Sequence, residues 1–247
     1  MFVAASTDCF PELSLEDAIG RLIDLEYTAV EIAVSEYGNQ IRPSQVLDDL
    51  EKAIFLCRDT HRLTPAAYSV EIAPGDDYFR QWAACCKLAK ASKVVAICIR
   101  AGELGTPFNA EIERLREMVR IASHEGVVVG LKTETGHVTQ DPATAMSLCD
   151  NVKGLGITLD PSHFVFGPHK GSYDQLFKNV VHVHLRDTSK DKLQVRVGQG
   201  EVEYGRLVTQ LEAVHYNRAL SVNMIAMPDV EHSAEMRKMR LLLESLL

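Results

Sequence analysis

The chain has 247 residues, 46% of them hydrophobic and 24% charged, an ordinary soluble balance that supplies a large core. Its formal net charge is −8. An acidic chain repels phosphate backbones, and no cluster of Lys and Arg with interleaved aromatics offsets this, so no nucleic-acid partner is expected.

The amino-terminal stretch MFVAASTDCF has no basic region and no long apolar run, so neither a signal peptide nor a membrane span is expected. The first strand is Phe2–Ser6. The turn after it, TDCFPEL, contains no glycine, which argues against a doubly wound nucleotide-binding fold. Ser14 opens the first helix with Asp17 as an acidic analogue of the capping box. Further strands are read at Ala29–Ala33, Pro65–Val70, Val94–Ile99, Val127–Lys132, Gly156–Asp160, Val180–Leu185 and Leu220–Ile225. Helical periodicity falls near Pro43–His61, Asp77–Ser92, Asn109–His124, Pro142–Asn151, Tyr204–Val214 and Ser233–Leu247, while Ser172–Asn179 is short and weakly periodic. Strands alternating with helices imply right-handed βαβ units, and eight such units close most readily into a (β/α)8 TIM barrel. No linker or repeat divides the chain, so residues 1–247 form one domain. The Gly/Pro clusters Pro74–Asp76, Gly102–Pro107 and Gly167–Gly171 all follow strands, on the face where such barrels carry their sites.

The six cysteines, Cys9, Cys57, Cys85, Cys86, Cys98 and Cys149, form no paired C-x-x-C motif. Several lie in apolar runs, where free Cys acts as a small hydrophobe, and a reduced, cytoplasmic protein is expected.

Polar residues concentrate at the later strand ends: KTETGH, LDPSHF, HVHLRD and SVNMI. Side chains alternate along a strand. If Lys132 points inward, so does Glu134. If His184 does, so do His182 and Arg186, and Asp160 and Asn223 end their strands at similar depth. The segments GITLDPSHF, HVHLRD and GQGEVEYGRLVTQLEAVHYNRALSV resemble the xylose-isomerase-like sugar isomerases and epimerases, whose superfamily includes endonuclease IV. The resemblance covers essentially the whole chain and is strongest from Gly126 to Val222.

The resemblance implies a divalent ion, commonly Mn²⁺ or Mg²⁺. It is held by a Glu ending strand five, the Asp of D-x-x-H, the His of H-x-[RK]-D and a Glu ending strand eight. Here Asp160 and His184 keep their metal positions, His163 matches the substrate-binding His, and Arg186 takes the basic position. Lys132 and Asn223 stand where the two Glu ligands are implied. A doubly charged ion ~4 Å from an ammonium is repelled by roughly 8 kcal/mol at an effective dielectric of about 20. We therefore expect no cofactor, with Lys132 paired to Asp160, unless Mn²⁺ or Mg²⁺ is retained through Glu134. Lys132, Glu134, His163 and Arg186 are the catalytic candidates. Glu31, Arg100, His163, Asn223 and Gln199 are the substrate-binding candidates, with Glu31 facing the mouth. His182 is read as a core histidine.

The function expected is an isomerase or epimerase acting on, or binding, a small keto-sugar, polyol or related metabolite by proton transfer next to a carbonyl. Its partner is a small-molecule substrate, with a homodimer left open. The alternative is a non-catalytic binding or regulatory protein built on such an enzyme. A repair endonuclease ranks last, because that branch needs three zinc ions and more His and Glu ligands than these strand ends supply.

Overall fold

The computed structural model describes residues 1–169 and 172–247. Eight parallel strands close into a barrel in chain order. They are β1 (Phe2–Ser6), β2 (Ala29–Ser35), β3 (Thr64–Glu71), β4 (Ala96–Ile99), β5 (Val128–Lys132), β6 (Leu155–Leu159), β7 (Val180–Leu185) and β8 (Ala219–Val222). β8 pairs back onto β1, so no strand edge is left open. Around them run α1 (Leu15–Asp24), α2 (Pro43–Asp48), α3 (Leu50–Arg58), α4 (Tyr78–Ala91), α5 (Phe108–His124), α6 (Pro142–Asn151), α7 (Ser162–Phe166), α8 (Tyr204–Ala213) and α9 (His232–Glu244).

Local chemistry sets the helix ends. The Ser14 hydroxyl accepts the Asp17 amide at 3.1 Å and donates to the Asp17 carboxylate at 2.7 Å, so only the forward half of a capping box reaches the backbone. The helix expected over Pro43–His61 is instead two helices. Asp49 breaks it with φ −144° and ψ 84°, and its carboxylate caps α3 by accepting the Lys52 amide at 3.0 Å. Ser172–Asn179 yields only a 3-10 turn over Asp174–Asn179. Of the Gly167–Gly171 cluster, Lys170 and Gly171 lie outside the described residues. No helix among the described residues is long and apolar enough to cross a membrane.

Strand alternation divides the core in two. Val30, Ile32, Val34, Ile97, Ile99, Val129, Leu131, Ile157, Leu159, Val183, Leu185, Leu220 and Val222 belong to the large cluster between sheet and helices. Residues of the other parity face the barrel axis. They are unusually small: Ala4, Ala29 and Ala219 form one cluster, and Ala67, Ala96 and Cys98 another. Barrels of this type normally fill their interior with bulky branched side chains. Here Glu31, His182 and His184, all buried, take that space.

Candidate active site

Asp160, just past β6, anchors the mouth. One carboxylate oxygen accepts Arg186 Nη2 at 3.1 Å, with His163 Nε2 at 3.7 Å. The other accepts the Ser162 amide at 3.0 Å and the Ser162 hydroxyl. Burial alone would raise the Asp160 carboxyl, but Arg186, His163 and Ser162 outweigh it and hold the group below its usual value. Arg186 also donates to Asn223 Oδ1 at 3.0 Å, so one guanidinium bridges β6 and β8. His163 Nδ1 accepts the Thr135 amide at 3.1 Å. A neutral ring therefore carries its proton on Nε2, which faces Asp160. Burial lowers the His163 pKa, and the Asp160 carboxylate only partly opposes it.

The expected Lys132–Asp160 ion pair is not formed. Lys132 Nζ donates to Ser69 Oγ of β3 at 2.7 Å, and among the described residues no carboxylate lies within 4.0 Å of it. The reason is competition: Arg186, on the strand next to Asp160, already occupies that carboxylate. Glu134 is tied to the rim, where Arg100 donates to it at 3.1 Å through Nε and to Glu71 at 2.6 Å through Nη1. Beside this rim opens a cleft of about 270 Å³ lined by Tyr37, Glu71, Arg100, Glu103 and His137.

The placement of Glu31 is likewise corrected. It does not reach the mouth but lies fully buried in the interior, where one carboxylate oxygen sits 2.5 Å from His182 Nε2 and 2.9 Å from His184 Nε2. Burial would raise this carboxyl, and the two imidazoles hold it well below its usual value. Gln199 is exposed on the loop after β7, and only its amide is engaged, with Arg196 O at 3.0 Å. The residue organising that loop is Asp187, which accepts the Gly198 and Gly200 amides at 2.7 and 3.0 Å. A Cβ at Gly200 would collide with the Asp187 carboxylate.

The donors at the implied strand-end metal position do not fit a divalent ion. Lys132 brings an ammonium, Asp160 and Asn223 are taken by Arg186, and His184 Nε2 is turned to Glu31. Hard cations want several free oxygens, and none of the four offers one. Glu134 does not restore the set, because Arg100 holds it at the rim.

The family model of the xylose isomerase-like TIM barrel matches residues 21–244. The chain belongs to this family. Solved structures share the fold at low identity. An L-ribulose 3-epimerase is 13% identical with a TM-score of 0.75, covering 100% of this chain and 96% of its own. The 3-keto-D-glucoside 4-epimerase of E. coli is 15% identical with a TM-score of 0.75, covering 99% of each chain. The IOLI protein, described with a bound zinc atom, is 14% identical with a TM-score of 0.75, covering 100% of this chain and 98% of its own. No curated protein matches the chain in sequence.

Within this xylose isomerase-like barrel, several working residues escaped sequence reasoning. Ser69 holds Lys132, Ser162 clamps Asp160, Thr135 fixes the His163 tautomer, and Glu71 shares Arg100. Ser69 and Glu71 fall on the inward parity of β3, so the alternation that singled out Lys132 would also have exposed them.

Proposed function

We propose that the chain is an isomerase or epimerase that moves a proton next to the carbonyl of a small keto-sugar or related polyol, without the strand-end metal of its family. The observation that carries this reading is Lys132, an inward cation at the mouth whose only side-chain partner among the described residues is the neutral Ser69. A cation left without a counter-charge at the site favours a ligand on which negative charge develops. Likeness to sugar epimerases supports the substrate class.

In this reading Glu134, oriented by Arg100, takes the proton from the carbon beside the carbonyl. Lys132 lies against the oxygen that becomes the enediolate, and His163 Nε2–H and Arg186 donate to the neighbouring oxygens. For isomerisation Glu134 then returns the proton to the former carbonyl carbon while the hydroxyl proton of the first carbon passes to the former carbonyl oxygen. For epimerisation the same carbon takes a proton from water on its other face and Glu134 releases its own to solvent. The six cysteines are free and buried, which supports a reduced, cytoplasmic setting.

The test is exchange of substrate hydrogen with deuterated water, followed by NMR across a panel of ketoses and 3-keto-glycosides with no metal added. Catalysis predicts incorporation at one carbon beside the carbonyl, falling about 10²-fold or more in Lys132→Met. Saturable binding without exchange would replace the enzyme by a binding protein.

A further inference from the structure

The barrel interior holds a second cluster that the mouth does not use. Glu31 of β2, Cys98 of β4, and His182 and His184 of β7 bring one carboxylate oxygen, one sulfur and two ring nitrogens within 4.8 Å of one another, all buried. We propose that these four side chains form a zinc site inside the barrel, below the mouth, which shares only His184 with the position its family uses.

Three observations carry this. The first is an orphan: Glu31 Oε1 is buried with no hydrogen-bond partner among the described residues, while Oε2 receives both imidazoles. A carboxylate oxygen left bare in a dry core is costly, and a cation removes the deficit. The second is the donor set. One thiolate, two imidazoles and one carboxylate suit tetrahedral Zn²⁺, whereas Mg²⁺ and Ca²⁺ want oxygens throughout. The charge of the ligand set also closes: Zn²⁺ with Glu31 and Cys98 as anions and two neutral imidazoles sums to zero, and the Lys132 ammonium, close enough to act on Cys98 and His184, is tied to Ser69.

The third is geometry. Tetrahedral Zn²⁺ spaces its N, O and S ligand atoms about 3.3–3.6 Å apart, within the spread observed. The contacts of 2.5 and 2.9 Å to Glu31 need open by less than about 1 Å to reach that spacing. Small neighbours surround the sulfur: Ala67 and Ala96 pack against Cys98. Zinc on Nε2 places each ring proton on Nδ1, where an acceptor is needed. Thr158 and Ser221 stand in register with His182 and His184 on the flanking strands, and both hydroxyls are buried without partners. On binding, the Cys98 thiol gives its proton to solvent as the Zn–S bond forms. Because the site is closed, the ion enters as the chain folds.

The test is independent of any activity at the mouth. The full chain is expressed with added zinc, dialysed against a weak chelator and assayed for metal. A second sample is refolded with Co²⁺ for absorption spectroscopy. We expect stoichiometric retained zinc, and a cobalt form with the visible bands of a four-coordinate ion and a thiolate charge-transfer band. Cys98→Ser, a small neutral change chosen so that the barrel still folds, should lose the charge-transfer band. Asp160→Asn at the mouth should leave zinc content and both spectra unchanged. Wild type without zinc or cobalt bands, a charge-transfer band surviving in Cys98→Ser, or metal lost in Asp160→Asn would each overturn the proposal.

Discussion

The interior and the mouth of this barrel handle charge in opposite ways. Inside, one fully buried carboxylate is shared by two imidazoles that also have no access to water. At the mouth, Asp160 and Arg186 are nearly as buried, but Lys132, Glu134 and Arg100 are partly open. An interior charge must be answered by fixed protein groups or by an ion, since nothing else reaches it. A mouth charge can be left for solvent or a ligand to answer. The comparison therefore separates buried, paired residues, whose loss should destabilise the barrel, from the partly open Lys132, Glu134 and Arg100, whose loss should cost chiefly chemistry.

The largest effect should come from removing the interior acceptor. Glu31→Leu leaves two buried imidazoles without their carboxylate, and the loss should be on the order of 4 kcal/mol at about 1–3 kcal/mol per unsatisfied group. Glu134→Leu, at the rim, should change stability by about 1 kcal/mol or less. Urea unfolding of both variants at neutral pH checks this. Equal midpoints would mean that the interior carboxylate is not the structural group its burial implies.

Next in size is the Asp160–Arg186 pair. Arg186→Met strands Asp160 and should cost about 3 kcal/mol, the low end for a broken buried pair, because the Arg186 side chain is partly open at the mouth. Adding Asp160→Asn should recover part of that, because the stranded charge is gone. Lys132→Met should instead add to Asp160→Asn to within about 0.5 kcal/mol, as expected for groups that do not touch. Thermal melts of the three single and two double variants give both coupling energies. Strong coupling of Lys132 to Asp160 with none for Arg186 would reverse the assignment of partners.

The fold and the site differ in how far the sequence reveals them. Period-two runs such as Val180–Leu185 locate strands because each is a local pattern backed by burial on its outer face. The same alternation puts Lys132, Asp160, His184, Arg186 and Asn223 on the inner face. It does not say which of them meet. Contacts across a barrel depend on strand tilt and stagger, which are properties of the whole closed sheet. Lys132 thus meets Ser69, distant in sequence, and the longer Arg186 spans from Asp160 to Asn223. Glu31 was singled out but set too near the mouth, because β2 continues to Ser35 and a residue read as ending the strand lies two inward positions below its end. Cys98 escaped because inside an apolar run a metal donor and a small hydrophobe look alike. The break at Asp49 was local, an N-capping Asp ahead of Leu50–Lys52 that apolar periodicity alone overran.

Acid should sharpen the comparison at the mouth. The Asp160 carboxyl is held below its usual value in the fold. It therefore contributes stability above its unfolded pKa of about 3.9, and that contribution is lost as pH falls through the folded value. His163 is also depressed, here by burial. The unfolded chain then binds the proton first, so stability drops as pH falls from about 6.5 towards the folded value. Urea midpoints between pH 8 and pH 3 should show both steps. His163→Gln should reduce the upper step, which buried His184 shares, and Asp160→Asn the lower one, which Glu31 shares. A profile unchanged by His163→Gln would mean that the ring keeps its ordinary titration in the fold.

The smallest effect on stability should come from Arg100→Gln. The Arg100 side chain is 48% exposed, and it joins Glu71 and Glu134 at the rim. Exposed pairs of this kind are worth about 1 kcal/mol or less, because water and salt screen them. The melting temperature should therefore barely move. The proposed proton acceptor, however, loses the donor that orients it, so the deuterium-exchange rate should fall well beyond what the change in folded fraction explains. Arg100→Lys keeps the charge but lacks the fork that reaches both carboxylates, and it should recover only part of the rate. If exchange per folded molecule is the same in wild type and Arg100→Gln, Glu134 is not the base. Lys132, at the end of β5 two residues before Glu134, would then be the next group to test as the base.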